Sequence, residues 1–309
     1  MHSPKPASRP ASNRSPSRWI PRWATAAVVA LPILASIGLA EAAPVTFSAS
    51  GANPAAIQGQ VDAFRAALGG LNPNLAGSAG TGRREINWDG VPDARSVPNP
   101  LPADFFNTTS PRGVVFATPG TGFQVSANPG SGAPVEFGNI NASYPGYFAT
   151  FSPQRLFTAL GSNVVDVDFF VPGSTTPALT RGFGAVFTDV DLANTTSLAF
   201  FDVNNLLLGS FFAPPGLTGS ESLSFLGVDF GTAVISRVRI TSGNSALGPN
   251  EAGGIDLVVM DDFIYGEPIA RAATVPEPGT LALFGSAVAG LVALRRRPGK
   301  AGESTGAHT

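Results

Sequence analysis

The chain has 309 residues, 36 of them glycine and 28 proline, only 13% charged side chains and no cysteine. Disulfides, thiolate metal sites and cysteine nucleophiles are thereby excluded, and both histidines, His2 and His308, sit at the extreme ends. The formal charge of −2 hides an uneven distribution: between residues 44 and 275, ten arginines and no lysine oppose eighteen acidic side chains, a net −8 that argues against nucleic acid as a partner.

The N-terminus carries Lys5, Arg9, Arg14, Arg18 and Arg22, and no acid before Glu41. An apolar run over 23–39, interrupted by Pro32, leads to Ala40-Glu41-Ala42, with small residues at −3 and −1 of a cut before Ala43. This three-part pattern predicts a cleaved secretory signal over 1–42, which it fits better than an uncleaved anchor. With no Arg-Arg pair ahead of the run, the general secretory route is expected. Next, Ile57, Val61, Phe64 and Leu68 recur at spacings of four, three and four. Asn53 before Pro54 offers an N-cap and Gly69-Gly70 a stop, so 55–68 is predicted as one amphipathic helix. A Gly/Asn/Pro-rich linker follows, and 43–82 is read as helix plus linker.

From Arg84 onward the pattern turns to β. Candidate strands are 113–117, 122–126, 147–151, 164–171, 182–191, 197–202, 206–212, 222–230, 234–241 and 256–265, separated by Gly, Pro, Asn and Ser clusters. Residues 197–212 read as a hairpin turning at Val203-Asn204-Asn205. No long helical period interrupts them, so 83–270 is expected to be an all-β, antiparallel β-sandwich of jelly-roll or lectin-like type.

At the C-terminus Val275-Pro276-Glu277-Pro278-Gly279-Thr280 precedes a fourteen-residue apolar stretch, 281–294, and then Arg295-Arg296-Arg297. As a helix the stretch measures about 21 Å, short of the roughly 30 Å hydrocarbon core. Snorkelling arginines let it just span, with the basic cluster on the cytoplasmic side and the domain outside. It therefore reads as a temporary, transmembrane-like anchor with transient inner-membrane insertion. Pro276, Glu277, Pro278, the apolar helix and Arg295, Arg296 and Arg297 together resemble the PEP-CTERM sorting signal of Gram-negative bacteria, here over 275–297. That resemblance implies passage through the secretion machinery, cutting near Pro-Glu-Pro by an exosortase, and a destination at the cell surface or in an exopolysaccharide-rich matrix. Residues 182–265 also resemble domains of other PEP-CTERM proteins, which bears on fold and not on activity.

Catalytic motifs are scarce. With both histidines in terminal segments, Ser-His-Asp, Cys-His and histidine-zinc mechanisms are out of reach. Gly182-Phe183-Gly184 is a fragment of a nucleotide loop and reads better as a close backbone approach. Carboxylates remain. Asp166 and Asp168 alternate with apolar residues and read as a solvated face. Asp189 and Asp191 share a face with Phe183 and Phe187 at a strand end. Asp261 and Asp262 are flanked by apolar residues on both faces, so at least one should be buried and in need of a cation or dense hydrogen bonding. An arginine such as Arg181, Arg237 or Arg239 is one partner. The other is a structural Ca²⁺, which takes carboxylates without nitrogen or sulfur, with Asp189, Asp191, Asp261 and Asp262 as candidate ligands. Asp261-Asp262-Phe263 resembles the late-strand aspartate that holds Ca²⁺ in carbohydrate-binding jelly rolls. Trp88 stands at a strand-to-turn position where a sugar platform would sit, although a core role is the commoner fate of such a residue.

Three functions fit. One is a non-enzymatic matrix protein that binds polysaccharide, another a carboxylate-dependent glycan hydrolase, and the third a ligand-free structural protein.

Overall fold

The computed structural model describes residues 43–216 and 219–271, with residues 288 and 291. The predicted signal peptide at 1–42 and, apart from those two residues, the sorting segment lie outside the described residues. Among the described residues no helix is long and apolar enough to cross a membrane.

Among the described residues the chain opens with β1 (Val45–Gly51) and the helix α1 (Pro54–Leu68). The Asn53 carboxamide accepts a hydrogen bond from the Ala56 N–H at 3.2 Å, with Pro54 in the first turn, so the helix starts where capping chemistry places it. It stops at Gly69, whose φ of 102° favours glycine. The strands that follow are β2 (Arg83–Ile86), β3 (Val114–Ala117), β4 (Gly122–Val125), β5 (Phe157–Leu160) and β6 (Val164–Phe169). Then come β7 (Ala178–Leu179), β8 (Gly182–Thr188), β9 (Ser197–Phe201) and β10 (Leu207–Phe212). The last are β11 (Leu223–Asp229), β12 (Arg237–Thr241), β13 (Val259–Gly266) and β14 (Ile269–Ala270).

Two antiparallel sheets result, one ordered β1-β11-β8-β13-β5-β4 with β2 also on β13, the other β10-β9-β12-β6-β3; β14 and β7 form a separate pair. Their inner faces share one aromatic-rich core. Alternation works as expected on β6, where Val165, Val167 and Phe169 are buried and Asp166 and Asp168 point away. Across the strands Asp166 meets Arg237 and Arg239 at 3.0 and 2.7 Å.

The larger sheet is buried on its outer face too. There Ile57, Val61, Phe64 and Leu68 of α1 pack on Val186, Leu223, Phe225 and Ile264. Burying four such side chains stabilises the docking by roughly 1.5–3 kcal/mol each. Glycines make the approach close. A Cβ on Gly184 or Gly227 would lie 2.9 Å from the Phe64 ring, which gives the Gly182-Phe183-Gly184 run its structural meaning.

β1 pairs with β11 along its whole length, so residues before the helix also belong to the sheet. The predicted strands omit β1, β2 and β5 and the two-residue β7 and β14. Conversely, the predicted strand at 147–151 follows a 3₁₀ turn (Tyr144–Gly146) and is irregular, with Phe148 and Phe151 buried. The linker is cinched by Arg84, which ion-pairs with Glu267 at 2.8 Å and reaches the carbonyls of Pro73, Leu75 and Gly77. Both partners are almost completely buried.

Candidate functional site

β8 ends at Thr188, and the next residue, Asp189, takes a left-handed conformation with φ of 70°. Its N–H still donates to the Ser222 carbonyl at 2.8 Å, but its side chain turns into a fully buried position where neither carboxylate oxygen has a hydrogen-bond partner. Asp191, two residues on, also has one buried, unpartnered oxygen. Glu251, from the loop between β12 and β13, completes a set of three carboxylates whose oxygens lie within 4.8 Å of one another. Among the described residues no ion pair reaches any of the three.

The surrounding chain is well tied. Asp256 is fully buried, accepts the Asp191 N–H at 2.9 Å and bonds the Thr195 hydroxyl. Its own N–H donates to the Asn244 carboxamide oxygen at 2.9 Å, and the Asn244 amide donates to the Gly254 carbonyl at 2.8 Å. One oxygen of Glu251 accepts the Leu257 N–H at 3.0 Å. The Tyr144 hydroxyl donates to the Pro249 carbonyl at 2.9 Å and accepts from the Gly248 N–H at 2.6 Å. Burial, then the charges of Glu251 and Asp191, push the Asp189 carboxyl up to about 9. Asp191 and Glu251 are raised as well, chiefly by burial.

Asp261 and Asp262 occupy a different place. The register of β13 against β8 shifts between Met260, opposite Phe187, and Phe263, opposite Ala185. Two residues thus face one, a β-bulge that turns both carboxylates to the helix side of the sheet. The Ser152 hydroxyl reaches both, at 3.2 Å to Asp261 and 2.6 Å to Asp262. Asp261 also accepts the N–H groups of Phe151 and Ser152 at 2.6 and 3.2 Å. The arginine at this pair is Arg65 of α1, 3.3 Å from Asp262, and none of the three predicted from sequence: Arg181 pairs with Asp229, and Arg237 and Arg239 with Asp166. Burial and the Asp262 charge hold the Asp261 carboxyl well above the usual range, and burial raises Asp262. Asp262 also lines an open cleft of about 520 Å³ with Gln58, Glu85, Arg112 and Ser152. Glu85 is engaged there by Arg65 at 2.9 Å and by Arg83 at 2.6 Å.

The four aspartates predicted as one ligand set therefore split into two pairs. Sequence reasoning missed Glu251 and Asp256 as partners of the first. The one available signal was the loop chemistry of Glu251-Ala252-Gly253-Gly254-Ile255-Asp256, which marks a turn with an acid at each end. Trp88 offers no sugar platform. It is 1% exposed, its ring stacks on Phe157 at 4.1 Å, and its indole N–H donates to the Asp261 carbonyl at 2.8 Å.

Comparison with known proteins bears on the C-terminal segment. Residues 274–297 match the family model described as the PEP-CTERM protein-sorting motif. The chain carries a PEP-CTERM sorting signal. Pro276, Glu277, Pro278 and Arg295, Arg296 and Arg297 all fall inside the matched range, which marks this PEP-CTERM chain as an exported exosortase substrate. No curated protein matches it. Among solved structures, a glycoside hydrolase family 43 arabinoxylan arabinofuranohydrolase from Bacillus subtilis, in complex with cellotetraose, is similar at 13% identity with a TM-score of 0.25. That match covers 51% of this chain and 27% of that one, and at such a score it carries no argument about fold or activity.

Proposed function

We propose that this PEP-CTERM chain is exported through the general secretory route, loses residues 1–42, is held transiently in the inner membrane by 281–294 and is released by an exosortase. Its jelly-roll-like sandwich then serves at the cell surface or in the extracellular matrix as a non-enzymatic, polysaccharide-associated module. The sorting motif at 274–297 carries this reading. Supporting the non-enzymatic part, the carboxylates of the Asp262 cleft are engaged by arginines and a serine, whereas a two-carboxylate glycosidase needs one acid and one free base or nucleophile about the scissile bond.

Co-sedimentation with the producing strain's own exopolysaccharide, combined with a reducing-end assay on the same samples, tests the module. The expected result is binding without release of reducing ends. Reducing ends released by the native chain and not by a folded Asp262→Asn variant would replace this reading with the hydrolase. Silence in both assays would leave the ligand-free structural protein.

A further inference from the structure

The geometry points to a Ca²⁺ site at the end of β8, with Asp189, Asp191 and Glu251 as its side-chain ligands and Asp256 holding the surrounding loop. Asp189 carries the inference. A fully buried acid whose oxygens accept no hydrogen bond from an N–H or hydroxyl group and that faces other carboxylates is a costly thing for a fold to keep. Most of the surroundings are satisfied: Asp256 has three partners, and the loop is tied through Asn244, Tyr144 and Leu257, while the hydroxyl of Ser222, whose carbonyl accepts the Asp189 N–H, is buried and also without a partner. The free oxygens thus converge within a framework that is otherwise mostly closed.

The chemistry of the set selects the ion. Ca²⁺ binds oxygens at roughly 2.3–2.6 Å, so oxygens on opposite sides of its shell lie about 5 Å apart, and one oxygen from each of the three carboxylates lies within 4.8 Å of the others. The donors are all oxygen, and residues 43–271 contain neither histidine nor cysteine, which removes the ligands preferred by zinc and copper. Mg²⁺ demands a tighter octahedron and keeps its waters. Asp191 and Glu251 are only half-buried, which leaves one side open for entry and for coordinating water. A bound ion would join the end of β8 to the loop that runs into β13, reinforcing the Asp191–Asp256 and Thr195–Asp256 hydrogen bonds that already link them. The site is independent of the polysaccharide proposed above.

Melting the purified chain in EDTA and in CaCl₂ tests the site. With an affinity typical of extracellular modules, roughly 10⁻⁴ M, about 10 mM Ca²⁺ should raise Tm by roughly 5–10 °C. Hydrogen exchange should slow at the N–H of Leu257 and its neighbours. Both effects should vanish in Asp191→Asn and Glu251→Gln. Asp189→Asn keeps the side chain's shape and removes the ionisable carboxyl, so it should fold at least as well as the native chain in EDTA while losing the response to Ca²⁺. An unchanged Tm in the native chain, a rise that survives in Asp189→Asn, or an equal rise with Mg²⁺ overturns the assignment.

Discussion

Adjacent residues in a strand ordinarily point to opposite faces, yet Asp261 and Asp262 both reach the same serine hydroxyl. The bulge resolves this, and it also moves Met260 onto the inner face with Phe263 and Tyr265. Strict alternation had put Met260 with Asp262. Register is set by β8, some seventy positions earlier, so the sequence around Asp261 held no local sign of the bulge. What the sequence did show was that two acids in an apolar strand need partners, and they have them. The pair also has a pH signature. In the folded chain Asp261 is raised above its unfolded value, so the native state holds the extra proton; its stabilising contribution is complete below about pH 4 and is lost as pH rises through the folded-state value. In EDTA, Asp261→Asn should therefore flatten part of the decline in Tm as pH rises above about 4. An Asn variant whose Tm falls as steeply as that of the native chain would show that Asp261 is not the group holding the proton. Glu251 teaches a related lesson: its partner Asp189 is sixty-two positions away, and no periodicity connects them.

At the scale of elements, α1 was legible because its signals are local: a cap, a first-turn proline, four apolar positions and a glycine stop. β1 and β5 were not. Along β5 three consecutive residues, Phe157, Thr158 and Ala159, are buried, so no apolar–polar alternation marks it, and β1 begins just past the predicted signal cut, where its Val45, Phe47 and Ala49 alternation is easily passed over. The contact between helix and sheet rests on Phe64 lying over glycines. Gly227→Ala would place a methyl 2.9 Å from the Phe64 ring, an overpacking that should cost roughly 1–3 kcal/mol. Phe64→Ala alone should cost roughly 3–5 kcal/mol by opening a cavity. Combined, the two should cost less than their sum, by roughly 0.5–3 kcal/mol, because the added methyl fills part of the space that the ring leaves. Urea denaturation of the three variants measures this coupling, and strict additivity would place the Gly227 constraint elsewhere, for example against Phe225, which lies equally near.

For the molecule as a whole, the strands run from Val45 to Ala270, while the predicted signal cut precedes Ala43 and the sorting motif begins at 274. Both proposed cuts would thus fall just outside the described paired strands, so processing would remove none of their sheet hydrogen bonds. Residues 43–275 carry no lysine, histidine or cysteine. Their acids include the three-carboxylate set at the end of β8, the Asp261–Asp262 pair and a cross-strand ion-pair face. Sorting itself is open to one direct measurement, the intact mass of the chain recovered from outside cells that produce an exosortase. The account predicts a species that starts at Ala43 and ends near Pro276-Glu277-Pro278, without Arg295, Arg296 and Arg297. Recovery of a chain that still extends to Thr309 in the presence of the exosortase would contradict it.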